Sequence, residues 1–109
     1  MTLGVRCVSL VLVLCAAMTS AGADTAVVTK WRLLGESQGD CMGHARMAIF
    51  RAGFNASEGA SQSQSMSGKR GEYTAAIRCI AEQRIVFFVM SGPSPEATAR
   101  YLDVLYGHF

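Results

Sequence analysis

The sequence predicts an α+β domain of two layers: a mostly antiparallel sheet of three or four strands with two helices packed on one face. Three short segments have the apolar content or the period-two alternation of strands, namely Val27–Leu34, Gly71–Ile80 and Arg84–Met90. Two longer segments repeat apolar residues at helical spacing, about Cys41–Ala52 and Pro95–Tyr106. The resulting order, β-α-(β)-β-β-α, favours a sheet covered by helices.

The first strand has a clear alternation. Lys30 and Arg32 lie on one face, and two glycines in the following GESQGD segment end the strand. The other face carries Val27, Thr29, Trp31 and Leu33.

The first helix is predicted to start at Cys41, with Asp40 as its N-cap. Gly53 suits the left-handed position that follows a helix. The apolar stripe consists of Cys41, Ala45, Ala48, Ile49 and Ala52. Small alanines on this stripe allow the helix to lie close to a sheet.

The remaining segments are less uniform. Residues 55–67 are polar and are compatible with a loop or with a polar edge strand, and both remain open. The strand after them places Cys79 on its apolar face, toward the first helix. After a short AEQ turn, the strand RIVFFVM is apolar on both faces, which favours a central position or contact with a partner. Ser94 and Pro95 then begin the last helix.

The first 23 residues have the three parts of a secretory signal peptide. Arg6 is the only charge before Asp24, an apolar run reaches Met18, and small residues follow it. We expect cleavage between Ala23 and Asp24, which leaves residues 24–109 as one exported domain, periplasmic or secreted. The apolar run is shorter than the roughly 20 residues of a spanning helix, so no stable membrane anchor is expected.

The cysteines point to a disulfide. Cleavage removes Cys7 and Cys15 and leaves Cys41 and Cys79, and a pair left in an exported chain is expected to be oxidised. The helix stripe and the strand face both direct these sulfurs inward. The chain-entropy effect of closing this loop is about 4 kcal/mol, a large share of the stability of so small a domain.

Two motifs suggest chemistry, and the residues favour simpler interpretations. The stretch GESQG matches the nucleophile elbow of serine hydrolases, which would make Ser37 catalytic. Asp103 and His108 follow in the required order, but both fall on the last helix, five residues apart, where they are not well placed to pair on one face. We therefore interpret the stretch as the start of a helix. Cys41 and His44, with several methionines, could bind Zn or Cu if the cysteines were reduced. Because oxidation is favoured, we expect no metal and no cofactor.

The outward side of the sheet is the candidate interaction surface. We predict that Val86, Phe88 and Met90 lie there beside Arg78, because an apolar centre with a basic rim is typical of a dimer or partner interface. The alternative is a central strand covered by its neighbours or by long Lys and Arg side chains.

The run from Asp40 to Phe109 resembles small exported bacterial proteins of uncharacterised function that contain one disulfide. The resemblance rests on the segments CMGHARMAIF, EYTAAIRCI and RIVFFVMSGP, the last followed by a short helix. It implies a periplasmic location and no particular activity.

These observations favour an exported, non-enzymatic module that binds a protein partner or a second copy of itself. Residues 24–109 carry nine Lys or Arg and eight Asp or Glu residues, a balance that gives no electrostatic basis for binding nucleic acid. The alternative is a small periplasmic protein that binds a ligand or a metal through Cys, His and Met side chains. A serine hydrolase acting through Ser37 comes third.

Overall fold

The computed structural model describes residues 24–56 and 64–109, and it has the predicted α+β architecture. The elements in chain order are β1 (Ala26–Leu33), α1 (Gln38–Arg51), β2 (Ser65–Arg70), β3 (Tyr73–Ile80), β4 (Ile85–Gly92) and α2 (Pro95–His108). The strands form one open antiparallel sheet in the order β1-β4-β3-β2. As predicted, RIVFFVM lies in a central strand.

Two sequence predictions fall wholly or partly beyond the described ranges. The predicted signal peptide, residues 1–23, lies outside them, and so does the Ala23 side of the predicted cleavage site. Within the polar segment 55–67, Ser65 begins the edge strand β2, and Asn55 forms an isolated bridge with Lys69. Residues 57–63 lie outside the described part. No helix in the described part is long and apolar enough to cross a membrane.

Helix α1 begins at Gln38 rather than at Cys41. Ser37, not Asp40, is the N-cap, and its Oγ accepts a hydrogen bond from the backbone N–H of Asp40 at 3.1 Å. Asp40 instead lies in the first turn, where its charge complements the positive end of the helix dipole. The predicted end of the helix is confirmed, because Gly53 has a φ of +84°.

The predicted disulfide joins the two layers. Cys41 near the start of α1 is bonded to Cys79 of β3, with Cα atoms 6.1 Å apart, and both side chains are fully buried. Gln38 reinforces the same junction, since its Nε2 donates to the Cys79 carbonyl at 2.8 Å. Its Oε1 accepts from the Ala81 N–H at 3.0 Å. The first turn of α1 is therefore held to the end of β3 by one covalent bond and two hydrogen bonds.

Both helices cover the same face of the sheet. Helix α1 packs on β3 and β2, and α2 packs on β4 and β1. The predicted α1 stripe is buried throughout. The largest fully buried apolar side chains between the layers are Phe88, Ile49, Ile77, Met90, Leu102, Leu105 and Val86.

The start of α2 approaches the sheet closely. Ser94 is the N-cap, as predicted, and its carbonyl accepts from the buried Thr98 hydroxyl at 2.6 Å. At Gly92, a Cβ atom would overlap the Tyr73 ring and lie 3.0 Å from Thr98 Oγ1. Glycine therefore permits the close contact between the end of β4 and the first turn of α2.

Candidate interaction surface

The three apolar residues that we predicted at an interface are core residues. Val86, Phe88 and Met90 are fully buried. Val86 lies opposite Cys79, and Phe88 lies opposite Ile77. Because directly opposed residues of an antiparallel pair share a face, β4 must turn these side chains toward the helices, as β3 does with Cys79. The prediction was therefore wrong for all three.

Arg78, the fourth residue predicted at the interface, does lie on the outer side. It is exposed and stands opposite Phe87 of β4. Its Nη2 donates to Gln64 Oε1 at 2.8 Å. The outer side of β4 is thus formed by Phe87 and its alternate neighbours.

The connection between β3 and β4 decides which side of β4 faces inward. Ile80 pairs with Ile85, so Arg84 belongs to the connection, and the sequence prediction that the strand begins at Arg84 was wrong. Ala81–Gln83 form a single 3₁₀ turn, and Arg84 closes it with a φ of +57°. A change of one residue in this register would exchange the two faces of β4.

The side of the sheet opposite the helices is here called the outer sheet face. It carries Val27, Thr29, Trp31 and Leu33 from β1; Ile85, Phe87, Val89 and Ser91 from β4; Thr74, Ala76, Arg78 and Ile80 from β3; and Ser65, Ser67 and Lys69 from β2. Val27 is 64% exposed, Trp31 59% and Leu33 77%. Contiguous apolar exposure of this kind marks interaction sites in small soluble proteins.

Strand β1 turns its cations toward the helices and its apolar side outward. Lys30 Nζ donates to Asp103 Oδ1 at 2.7 Å and lies 4.8 Å from the centre of the Tyr106 ring. The Arg32 guanidinium lies 5.1 Å from the same ring centre and 4.8 Å from that of Phe109. Helix α2 therefore provides the carboxylate and the aromatic rings that accommodate both cations. The apolar residues of β1 are left on the outer sheet face.

A cleft of about 380 Å³ opens where β1 ends. Arg32, Glu36 and His44 line it, and His44 Nδ1 lies 2.8 Å from Glu36 Oε1. Its volume falls in the range of small-molecule sites. A cationic Arg32 and an anionic Glu36 share the cleft, so it lacks the single sign of charge that would focus an ionic ligand. It is a weaker candidate than the outer sheet face.

The residues of the hydrolase and metal hypotheses have other partners. The Ser37 hydroxyl caps α1, and Asp103 pairs with Lys30. Cys41 and Cys79 are joined to each other, so neither offers a thiolate. Within residues 24–56 and 64–109, no three His, Cys, Asp or Glu side chains lie close enough together to hold a metal ion.

The fold and the surface together define a disulfide-stabilised α+β domain with one apolar sheet face exposed. In comparisons with known proteins, no family model and no curated protein matches the chain. Because a fold of this kind does not specify an activity, the functional argument rests on the chain's own residues. The alternation of β1 places Val27, Trp31 and Leu33 on one side but does not say which side of the strand faces the helices.

Proposed function

We propose that this protein is an exported, non-enzymatic interaction module whose binding surface is the outer sheet face. The observation that carries the proposal is the exposure of Val27, Trp31 and Leu33 on one side of β1, beside the outward side of β4. Tryptophan is among the residue types that supply most of the binding energy in protein interfaces. Arg78 on the same face adds another residue type that is enriched in interfaces.

Export is supported by the disulfide and by the composition of the first residues. A buried Cys41–Cys79 bond fits a non-cytoplasmic protein, because thiols in the cytosol are kept reduced. The charge, apolar run and small-residue end of residues 1–23 are those of a signal peptide. The resemblance to small exported bacterial proteins favours the periplasm over other exported locations.

A non-enzymatic role is supported by the engagement of the reactive side chains. A nucleophile needs a base within hydrogen-bond reach. Ser37 Oγ caps a helix, and His44 contacts Glu36 and the Phe109 ring, whose centre lies 5.9 Å from its own. The exposed apolar surface, in contrast, needs no cofactor to bind a protein.

The export proposal predicts the mass of the mature protein. When cells express the full sequence, the released protein should consist of residues 24–109 and should be two hydrogens lighter than its free-thiol form. Intact-mass spectrometry before and after reduction measures both properties. A released chain that retains residues 1–23, or one with free thiols, would contradict the proposal.

The interaction proposal predicts selective crosslinking from the outer sheet face. A photo-crosslinking benzoylphenylalanine at Trp31 should give a discrete adduct after irradiation of cells, because this exposed aromatic lies within the proposed interface. Denaturing electrophoresis and mass spectrometry measure the adduct. The matched control places the same group at Phe50, which is 74% exposed and lies on α1 on the other side of the domain.

Both positions are exposed to solvent, but they occupy opposite faces of the domain. An adduct from position 31 that is absent from position 50 supports an interface on the outer sheet face. Equal adducts from both positions, or no adduct from position 31, would remove the argument that this face is the binding surface.

A further inference from the structure

We infer that the outer sheet face binds a second copy of this chain, packed sheet to sheet about a twofold axis that runs parallel to the strands. This inference rests on the proposed function, since it names the occupant of the same surface. It follows from the distribution of side-chain size and charge across the face.

In its two central rows, the outer sheet face has a bulky half and a small half. One row across the strands reads Trp31, Phe87, Arg78 and Ser65. The next row reads Thr29, Val89, Ala76 and Ser67. In these two rows, aromatic and branched side chains lie on β1 and β4, whereas β3 and β2 supply alanine, serine and Arg78; in the flanking rows, β3 carries Ile80 and Thr74.

A twofold axis between β4 and β3 superimposes the bulky half of one copy on the small half of the other. It places β4 over β3 of the second copy, so Val89 faces Ala76 and Phe87 faces Arg78. Large side chains then fill the space above small ones, as the interdigitated core of two packed sheets requires. These two contacts lie nearest the axis, where the roughly 30° rotation between packed sheets displaces residues least.

The same axis gives Arg78 an aromatic partner. Arg78 of each copy lies over the Phe87 ring of the other, which gives two symmetric cation–π contacts. An axis across the strands would instead set β4 on β4 and β3 on β3. The bulky halves of the two copies would then meet each other instead of the small halves.

The area of the face is sufficient for a weak dimer. Four strands at about 4.8 Å spacing and of up to eight residues give a face of roughly 500 Å² per copy. Two such faces bury roughly 1,000 Å², the lower bound for a specific interface. We therefore expect a concentration-dependent dimer with a dissociation constant on the order of micromolar.

The test uses the protein purified from cells that express the full sequence. Sedimentation velocity across a dilution series should show a monomer that converts to a dimer as the concentration rises. Trp31 is the only tryptophan of the chain, so its emission should shift to shorter wavelength over the same range. A monomer at every concentration would overturn the second copy as the occupant.

Two substitutions at one position test the axis. Phe87→Lys should weaken the dimer by at least about 100-fold, because the new ammonium faces Arg78 of the second copy. Phe87→Glu should weaken it by less than about tenfold, because the new carboxylate faces the same guanidinium. Phe50→Lys is the control for an added cation elsewhere and should leave the dimer unchanged.

The outcomes separate the possible arrangements. Equal loss with both Phe87 variants would overturn the axis parallel to the strands, because like charges would then meet in each. No loss with either variant would place any dimer interface elsewhere. Circular dichroism checks that the variants fold, and if Phe87→Lys does not, Ala76→Phe replaces it, since the enlarged ring collides with Val89 of the second copy.

The same measurements distinguish this inference from the proposed function. A strictly monomeric protein that still crosslinks through position 31 to a different protein overturns the second copy and leaves the interaction module standing. A crosslinked species of twice the chain mass that Phe87→Lys abolishes supports both. A monomer that forms no adduct overturns both.

Discussion

Replacing Phe88 with alanine is expected to lower the free energy of unfolding by about 3–5 kcal/mol, whereas Phe87→Ala should cost about 1 kcal/mol or less. The Phe88 ring is fully buried between the sheet and α2. Its centre lies 5.0 Å from the Tyr106 ring centre and 5.2 Å from that of Phe109. Truncation therefore leaves a cavity in the core, while the adjacent Phe87 side chain lies on the outer sheet face.

Urea unfolding of the two variants at high dilution measures this difference without a contribution from dimerisation. The two substitutions remove the same atoms from neighbouring positions of β4, so each is the control for the other. A larger loss from Phe87→Ala would mean that β4 presents its opposite side to the helices, as the sequence interpretation had it. Similar losses would mean that both sides of the strand are covered.

The side of β4 that faces the helices could not be predicted, because no polar residue within its apolar run indicates which side is exposed. The run Ile85–Met90 is apolar at every position, so alternation selects neither side. The side of β4 that faces the helices depends on Arg84, which adopts a left-handed conformation. The sequence does not predict this conformation, because left-handed positions usually carry glycine or asparagine. Cys79, in contrast, lies in a strand with clear alternation, and its inward direction was predicted correctly.

Strand β1 shows a second limit of the sequence. Its alternation was recognised, and the apolar side of such a strand is ordinarily the buried one. In the structure the cationic side faces the helices instead, because α2 and its C-cap residue offer Asp103 to Lys30 and two aromatic rings to Arg32. Those partners are distant in sequence. Only tertiary contacts show that the cations have partners on the helix side, which leaves Trp31 exposed on the outer sheet face.

The helices and most of their ends were predictable because residue spacing and capping residues determine them locally. The stripe of α1, the Gly53 terminus and the Ser94 cap of α2 all follow from spacing or from residue type. The N-cap of α1 was misplaced since Ser37 and Asp40 are both good caps, and the extended backbone of Ser37 allows its hydroxyl to reach the first turn. The candidate surface, which depends on β-strand register, was therefore less predictable than the fold.

An exposed apolar sheet face limits the apolar area that this domain can bury in its core, which gives the disulfide a large role in stability. The Cys41→Ala/Cys79→Ala double variant should lose about 4 kcal/mol of unfolding free energy, because the native bond closes a loop across a sequence separation of 38. Small domains have only about 5–15 kcal/mol in total, so the variant should be near its unfolding transition at physiological temperature. Thermal and urea unfolding by circular dichroism measure the loss.

Reductant provides the control, because residues 24–109 contain no other cysteine. It should lower the urea midpoint of the wild-type protein toward that of the double variant and leave the double variant unchanged. A loss below about 1 kcal/mol would mean that Gln38 and the buried α1 stripe hold the helix against β3 without the bond. The buried core would then stabilise the domain without the disulfide, even with apolar residues exposed on the outer sheet face. The disulfide would chiefly fix the geometry between the two layers.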